Sequence, residues 1–376
     1  MKISRPFKAK PDFEHLRQVL RRETREGPVP LLELFADPEI MSEVTEIPFA
    51  AEKYTELLNL DRQSSPEMLM LGIKFLELHL AFSRAVGYDY VTAFPTAPLA
   101  RTPSQLQANP AQQGKLRTWQ NESKGVITSR EEFRDFPWPK PEDWSIVSVY
   151  VLESKLPPGA RFIHFIMGVF EELRALMGFE AFAVKSLEDP ELVNDILEKL
   201  TERVAAVTEK AAAHPAVGAI FYGDDMSFNT GPMVSPGWFR EYLFPRQKRI
   251  ADITHHHGKL FLLHCCGRSE RLMNDLIETV GIDAYHAFQD NVIPVEDYYR
   301  KYHDRIAILG GLDVGLLASG TPAQVRARTR RILEVCGADG GYCMGSGNSV
   351  TNYCRIENYY AMIDETRKWN EEHGRM

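Results

Sequence analysis

The sequence predicts an α/β protein: a single (β/α)8 TIM barrel with an N-terminal helical extension and an inserted lid-like segment. Short apolar runs recur near residues 30, 90, 163, 219, 261, 284, 307 and 342, which gives eight candidate strands. Helical patterns separate them, and strands alternating with helices predict a parallel sheet that eight members close into a barrel. No Gly-rich phosphate fingerprint follows the first strand, which disfavours an open doubly wound sheet.

Residues 11–25 read as a charged helix, stopped by Gly27, Pro28 and Pro30. The run Val29 to Phe35 follows as the first strand, with Glu33 inside it. A long helical region ends near Gly87, and Tyr88 to Phe94 is the second strand. Residues 95–145 are polar and Pro-rich, carry Trp119, Trp138 and Trp144, and are too long for a tight connection; they are expected to form a lid or subdomain. Arg161 to Ile166 is a strand and Gly168 to Met177 a helix. Pro190 opens a further helix in which Leu192, Ile196, Leu200, Val204 and Val207 recur at helical spacing. The later strands are Val217 to Tyr222, Lys259 to His264, Ile282 to His286, Ile306 to Leu309 and Gly341 to Met344. Helices Pro236 to His256, Arg271 to Val280, Pro294 to Tyr302 and Pro322 to Cys336 alternate with them, and residues 356–372 close the chain as a helix. Residues 1–376 are therefore expected to be one barrel unit, interrupted at about 95–145.

Hydrophobic content of 44% and charged content of 26% fit a globular protein with ample core material. A net charge of -8 with no long basic run disfavours nucleic acid as a partner. The start MKISRPFKAKPDF lacks the apolar stretch of a secretory signal, and no run approaches a bilayer span. The expectation is a cytoplasmic protein without a membrane partner. Five scattered cysteines argue against a disulfide framework, and Cys336 and Cys354 read as small buried hydrophobes.

The carboxyl ends of the strands, where a β/α barrel carries its chemistry, collect polar residues. They are Glu33; Asp224 and Asp225; His264, Cys265 and Cys266; Tyr285, Gln289 and Asp290; Gly310, Gly311 and Asp313; and Ser346 with Asn348. His264 and Cys266 lie two apart on a strand, so both side chains enter one cavity while Cys265 points the other way. Imidazole with thiolate starts a zinc site, although a packed histidine beside a buried cysteine is the plainer alternative. Asp224 and Asp225 offer a general acid, a ligand or a turn cap. Glu33 sits in an apolar strand and must be paired or ligated. The glycines at 310 and 311 allow a tight turn or close backbone approach. His255, His256 and His257 most simply complement a helix dipole.

The stretch from His264 to Asn358 resembles the uroporphyrinogen decarboxylase superfamily, through HCCG, GIDAYHAFQD, RIAILGGLD, SGTPAQV, GGYCMGSGN and IENYYAM. VPLLELF and GDDMSFNTGPMVSPGWF fit the same pattern, so the resemblance covers nearly the whole chain except residues 95–145. Decarboxylases proper carry an Arg-rich loop after the first strand. Here LLELFADPEI holds no arginine, and a substrate with many carboxylates would lack bidentate partners. The zinc- and corrinoid-dependent methyltransferase branch ends its fifth strand in His-x-Cys-Gly, matched by His264, Cys266 and Gly267. That branch takes a third ligand from a Gly-Cys pair after the eighth strand; this chain has Gly347 and Asn348 there.

The resemblance implies zinc on His264 and Cys266, completed by Glu33, Asp225 or Cys343. It implies methyl transfer between a small methylated compound, a methoxylated aromatic included, and a corrinoid carried by a partner protein. Asp225 or Glu33 would be the acid, and Asp224, Tyr285, Gln289, Asp313 and Asn348 the substrate contacts. An aromatic insertion at 95–145 would line the substrate pocket. The alternative is decarboxylation of uroporphyrinogen or of a smaller carboxylated substrate. Oligomeric state stays open, a homodimer included.

Overall fold

Seven of the eight apolar runs pair into one parallel sheet whose strands follow chain order. They are β1 Tyr90–Ala93, β2 Arg161–Met167, β3 Val217–Gly223, β4 Leu260–His264, β5 Ala284–His286, β6 Ala307–Leu309 and β7 Tyr342–Cys343. This computed structural model describes residues 10–49, 51–58, 66–95, 105–108, 116–119, 125–140 and 143–375. Every residue of β4 is buried, as expected of strands covered on both faces by crossover helices. The helices form where caps and periodicity foretell them. Asp189 caps Pro190–Ala213 by accepting from Leu192 N–H at 3.2 Å, and the stripe Leu192, Ile196, Leu200, Val204 and Val207 is buried. Thr321 and Gln324 form a capping box at the start of Pro322–Cys336.

The expected eighth strand is the main departure. Residues 29–36 meet the segment that follows β7 through isolated parallel bridges, Leu31 to Met344 and Ala36 to Val350. Among the described residues no ladder joins them to β1. The reason is local. Pro28 and Pro30 have no N–H to give, and the Tyr90 hydroxyl takes both backbone groups of Glu33, accepting from its N–H at 2.8 Å and donating to its carbonyl at 2.7 Å. A side chain stands where a strand pair would, and the structure is a curled, open seven-stranded sheet flanked by helices.

Two expected helices are interrupted. Pro236 to His256 breaks into Pro236–Trp238, a π turn Phe239–Leu243 and the helix Phe244–His256, whose second residue, Pro245, has no N–H to continue the ladder. The segment before β5 is Met273–Asp275 followed by a π turn Leu276–Val280, stopped at Gly281 with φ 85°. At the amino end, helix Phe13–Leu20 is shorter than the charged pattern suggested. Its Phe13 ring lies against the backbone of Gly218, where a Cβ would come within 2.2 Å of the ring.

The insertion contains an antiparallel pair, Gln105–Ala108 with Leu116–Trp119, and helix Arg130–Asp135. Trp138 packs on Phe133 and Phe136, and its Nε1 donates to the Phe133 carbonyl at 3.1 Å. Trp144 is buried beneath the Arg203 guanidinium, 3.7 Å from its ring centre. Both rings make these packing contacts; the Trp119 side chain lies outside the described residues. All five cysteines are free thiols. Among the described residues no helix is long and apolar enough to cross a membrane.

Candidate metal centre

Register selects the site. Gly223, His264 and His286 are mutual partners across β3, β4 and β5, and in-register neighbours of a parallel sheet share a face. Gly223 has no side chain, and a Cβ there would stand 2.7 Å from the Phe165 ring. The chain leaves β4 through Cys265, Cys266 and Gly267. Cys265 is fully buried and takes the Met226 N–H on its sulfur at 3.3 Å, turned away as alternation demands. Cys266 turns toward the mouth, its Sγ 3.3 Å from His264 Nε2.

Asp225 completes the group. Its Oδ1 lies 3.7 Å from His264 Nε2 and accepts the Cys266 backbone N–H at 2.7 Å. One ligand atom each from Asp225, His264 and Cys266 lies within 4.8 Å of the others. Nitrogen, sulfur and oxygen donors on a zinc tetrahedron stand about 3.3–3.8 Å apart, given ordinary bond lengths, so the donor set fits that ion. Asn348 is oriented by Ser349, whose N–H donates to Asn348 Oδ1 at 2.8 Å, and its Nδ2 then donates to Cys266 Sγ at 3.1 Å. The residue at the position of the expected second cysteine thus holds the first one.

Burial pushes the Cys266 thiol well above its usual range, and repulsion from the Asp225 carboxylate adds to this. Burial also lowers His264, with the Asp225 charge opposing. The imidazole is therefore neutral, the form that ligates metals, and a bound cation would reverse the thiol's preference.

Behind His264 the structure places His286, to which the sequence gave no role in the site, and beyond it Ser346. His264 Nδ1 lies 2.8 Å from His286 Nδ1, and His286 Nε2 lies 3.2 Å from the Ser346 carbonyl. Parity was the available signal, because Ile282, Ala284 and His286 alternate in step with His264. The same parity turns Tyr285 the other way. It is fully buried on the opposite face, where its hydroxyl donates to the Cys265 carbonyl at 2.8 Å and its ring stacks on Tyr298.

Other expected site residues have structural occupations. Asp224 is fully buried and accepts from Gln247 Nε2 at 2.8 Å and from Glu171 N–H at 2.7 Å, at the start of helix Val169–Met177. Burial raises it to about 6 against those bonds. Asp313 caps Val314–Ser319 through Gly315 N–H at 2.7 Å and also takes Asp290 N–H at 3.0 Å. Gln289 does reach the site, lining a small apolar cleft beside Cys266 with Ala287, Phe288, Val292 and Ile293. Cys343 is buried in β7 and stands outside the donor group. His255 and His257 pair with Asp283 and Glu209 at 2.9 and 2.8 Å.

Glu33 lies beneath the Gly345–Asn348 turn. Its Oε1 accepts Ser346 N–H at 2.8 Å and its Oε2 meets the Ser346 hydroxyl, which also lies 2.7 Å from the Asn348 carbonyl. A carbonyl only accepts, so the hydroxyl donates there and Glu33 supplies the proton between them. Burial raises Glu33 to about 8, in agreement.

The uroporphyrinogen decarboxylase (URO-D) family model matches residues 124–369. A uroporphyrinogen decarboxylase of Thioalkalivibrio sulfidiphilus (strain HL-EbGR7) is 27% identical over 184 residues, 48% of this chain and 50% of that one. That of Alcanivorax borkumensis (strain ATCC 700651 / DSM 11573 / NCIMB 13689 / SK2) is 25% identical over 165 residues, 43% of this chain and 44% of its own. The chain thus spans about half the length of the curated relatives it matches. Among solved structures, a methyltransferase from Methanosarcina mazei superposes with a TM-score of 0.65 at 16% identity, covering 94% of this chain and 97% of that one, a likeness of fold. With the family model spanning well over half of the sequence, the chain belongs to the uroporphyrinogen decarboxylase (URO-D) family.

Proposed function

We propose that this member of the family is a zinc-assisted methyltransferase, moving a methyl group between a small methylated substrate and a corrinoid carried by a separate protein. One observation carries the reading: Asp225, His264 and Cys266 converge nitrogen, sulfur and oxygen donors at one mouth. Bound there, zinc supplies Lewis acidity toward the heteroatom that gives up or receives the methyl group. The chain's own residues do the rest. Asp225 acts as a ligand and as the acceptor that holds the Cys266 backbone, which removes it from the role of proton donor. Asn348 steadies the sulfur through its N–H. The apolar side chains of Phe288, Val292 and Ile293 beside Cys266 keep water from the thiolate. Glu33, already bonded on both oxygens, anchors the turn that carries Asn348. On this reading residues 1–376 form one unit, and residues 29–36 stand as the eighth stave of a (β/α)8 barrel.

The second reading is decarboxylation, favoured by the family description and by the names of both curated relatives. Among the described residues no arginine or lysine lines the cleft beside Cys266, which favours methyl transfer over a substrate with many carboxylates. Two measurements separate the readings. Protein purified without chelator should carry stoichiometric zinc, lost in His264→Ala, and should demethylate small methylated compounds when given a reduced corrinoid protein. Zinc-free protein that turns over uroporphyrinogen would establish the decarboxylase instead.

A further inference from the structure

We propose that His286 is a positioning residue that fixes the tautomer of His264, so that the His264 Nε2 lone pair is presented to the cleft between Asp225 and Cys266. The inference rests on the metal reading of that cleft and extends it one residue inward.

The argument starts at Ser346. Its carbonyl can only accept, and it does so from Gly311 N–H at 3.3 Å and from His286 Nε2 at 3.2 Å, which uses both of its lone pairs. His286 therefore carries its hydrogen on Nε2. A neutral imidazole has one N–H, so His286 Nδ1 is an acceptor. The atom facing it, 2.8 Å away, is His264 Nδ1, which must be the donor. That leaves His264 Nε2 bare, at 3.3 Å from Cys266 Sγ and 3.7 Å from Asp225 Oδ1. The opposite assignment sets the His286 Nε2 lone pair against the carbonyl oxygen, acceptor against acceptor. It also places an N–H at the mouth, where it would occupy the carboxylate and block a cation.

The backbone is shaped for this relay. Gly310 has φ 75°, and a Cβ there would stand 2.2 Å from the Ser346 oxygen and 3.0 Å from His286 Nε2. Any side chain would wedge the two apart. Glu33 holds Ser346 from the other side by its N–H and hydroxyl, so the carbonyl cannot rotate away. Outer partners of this kind orient a ligating histidine and set the basicity of its metal-facing nitrogen.

The test uses the full chain. Zinc affinity is measured by competition with a chromophoric chelator for wild type, His286→Leu and His286→Asn, with a thermal melt to confirm folding. Separately, the tautomer of His264 is read in metal-free wild type by 15N-histidine NMR, its signal identified by loss in His264→Gln. Leucine has neither donor nor acceptor and should weaken zinc about 10–100-fold. The asparagine amide offers an acceptor and a donor at the ring's spacing and should restore most of that loss. The His264 signal should show hydrogen on Nδ1. Unchanged affinity in His286→Leu, or hydrogen on His264 Nε2, overturns the proposal. If wild type takes up no zinc, the metal reading fails, while the tautomer still decides this inference by itself.

Discussion

Neutral inside the protein, Glu33 is ionised in the unfolded chain at ordinary pH, and that difference links folding to protons. With the native group raised to about 8 from 4.5, its contribution is complete below pH 4.5 and is lost progressively as pH rises toward 8. The window is worth on the order of 3–5 kcal/mol. Glutamine can keep both contacts to Ser346 without a titration. Glu33→Gln is therefore expected to gain stability relative to wild type between pH 5 and pH 8, measured by urea unfolding at each. Wild-type and variant curves that run parallel across that range would remove Glu33 from the linkage. Asn348 supports a second expectation. Its Nδ2 already lies 3.1 Å from Cys266 Sγ, so Asn348→Cys brings a second sulfur to the donor group. Zinc should bind roughly tenfold tighter, about 1.4 kcal/mol, in the same chelator competition. Weaker binding would mean that Asn348 serves the thiolate better as a hydrogen-bond donor than a further ligand would.

At the scale of elements, one arginine ties the mouth to the outer helices. Arg328, on helix Pro322–Cys336, reaches Asp290 through Nε at 2.8 Å and Nη2 at 2.7 Å, and also grips Glu296 on helix Val295–Tyr302. Asp290 ends the loop that brings Phe288 and Gln289 to the cleft beside Cys266. Sequence alone offered Asp290 as a strand-end carboxylate, because its partner lies 38 residues away and pairing at that distance leaves no local pattern. Arg328→Ala strips Asp290 of its arginine and leaves Glu296 only Arg331, at 3.7 Å, and should cost about 3 kcal/mol, seen as a lowered unfolding midpoint. Arg328→Lys keeps the charge but cannot bridge both acids in the same fork, so it should fall between the two. A lysine variant as stable as wild type would show that charge alone secures the loop. The two π turns escaped the sequence for a related reason: the apolar spacing continues through Phe239–Leu243 and Leu276–Val280 while the hydrogen-bond ladder slips.

For the whole molecule, apolar periodicity made the strands and their parallel order legible, and the His264–x–Cys266 spacing made two of the three donors legible. What stayed hidden depends on which backbone groups meet. Asp225 was separated from Asp224 only by the turn after β3, and His286 from Tyr285 only by strand parity. The seam at residues 29–36 depended on a phenol that reads, in sequence, as one more apolar residue of β1. That phenol supports the last expectation. Tyr90 Oη satisfies the buried N–H and carbonyl of Glu33, and no strand pair replaces it among the described residues. Removing the hydroxyl leaves two polar backbone groups without a partner, at about 1–3 kcal/mol each. Tyr90→Phe is thus expected to destabilise the fold far more than the loss of one surface hydroxyl would. Amide exchange should quicken first along Glu33 to Ala36, ahead of β3 and β4, because those residues are held by isolated bridges and the Glu33–Ser346 contacts rather than by a strand ladder. Since Glu33 also pins Ser346, the same variant should weaken zinc binding from a distance. Exchange that stays slow at the seam, with stability unchanged, would mean that residues 29–36 are held by packing against the core and that the hydroxyl only fills space.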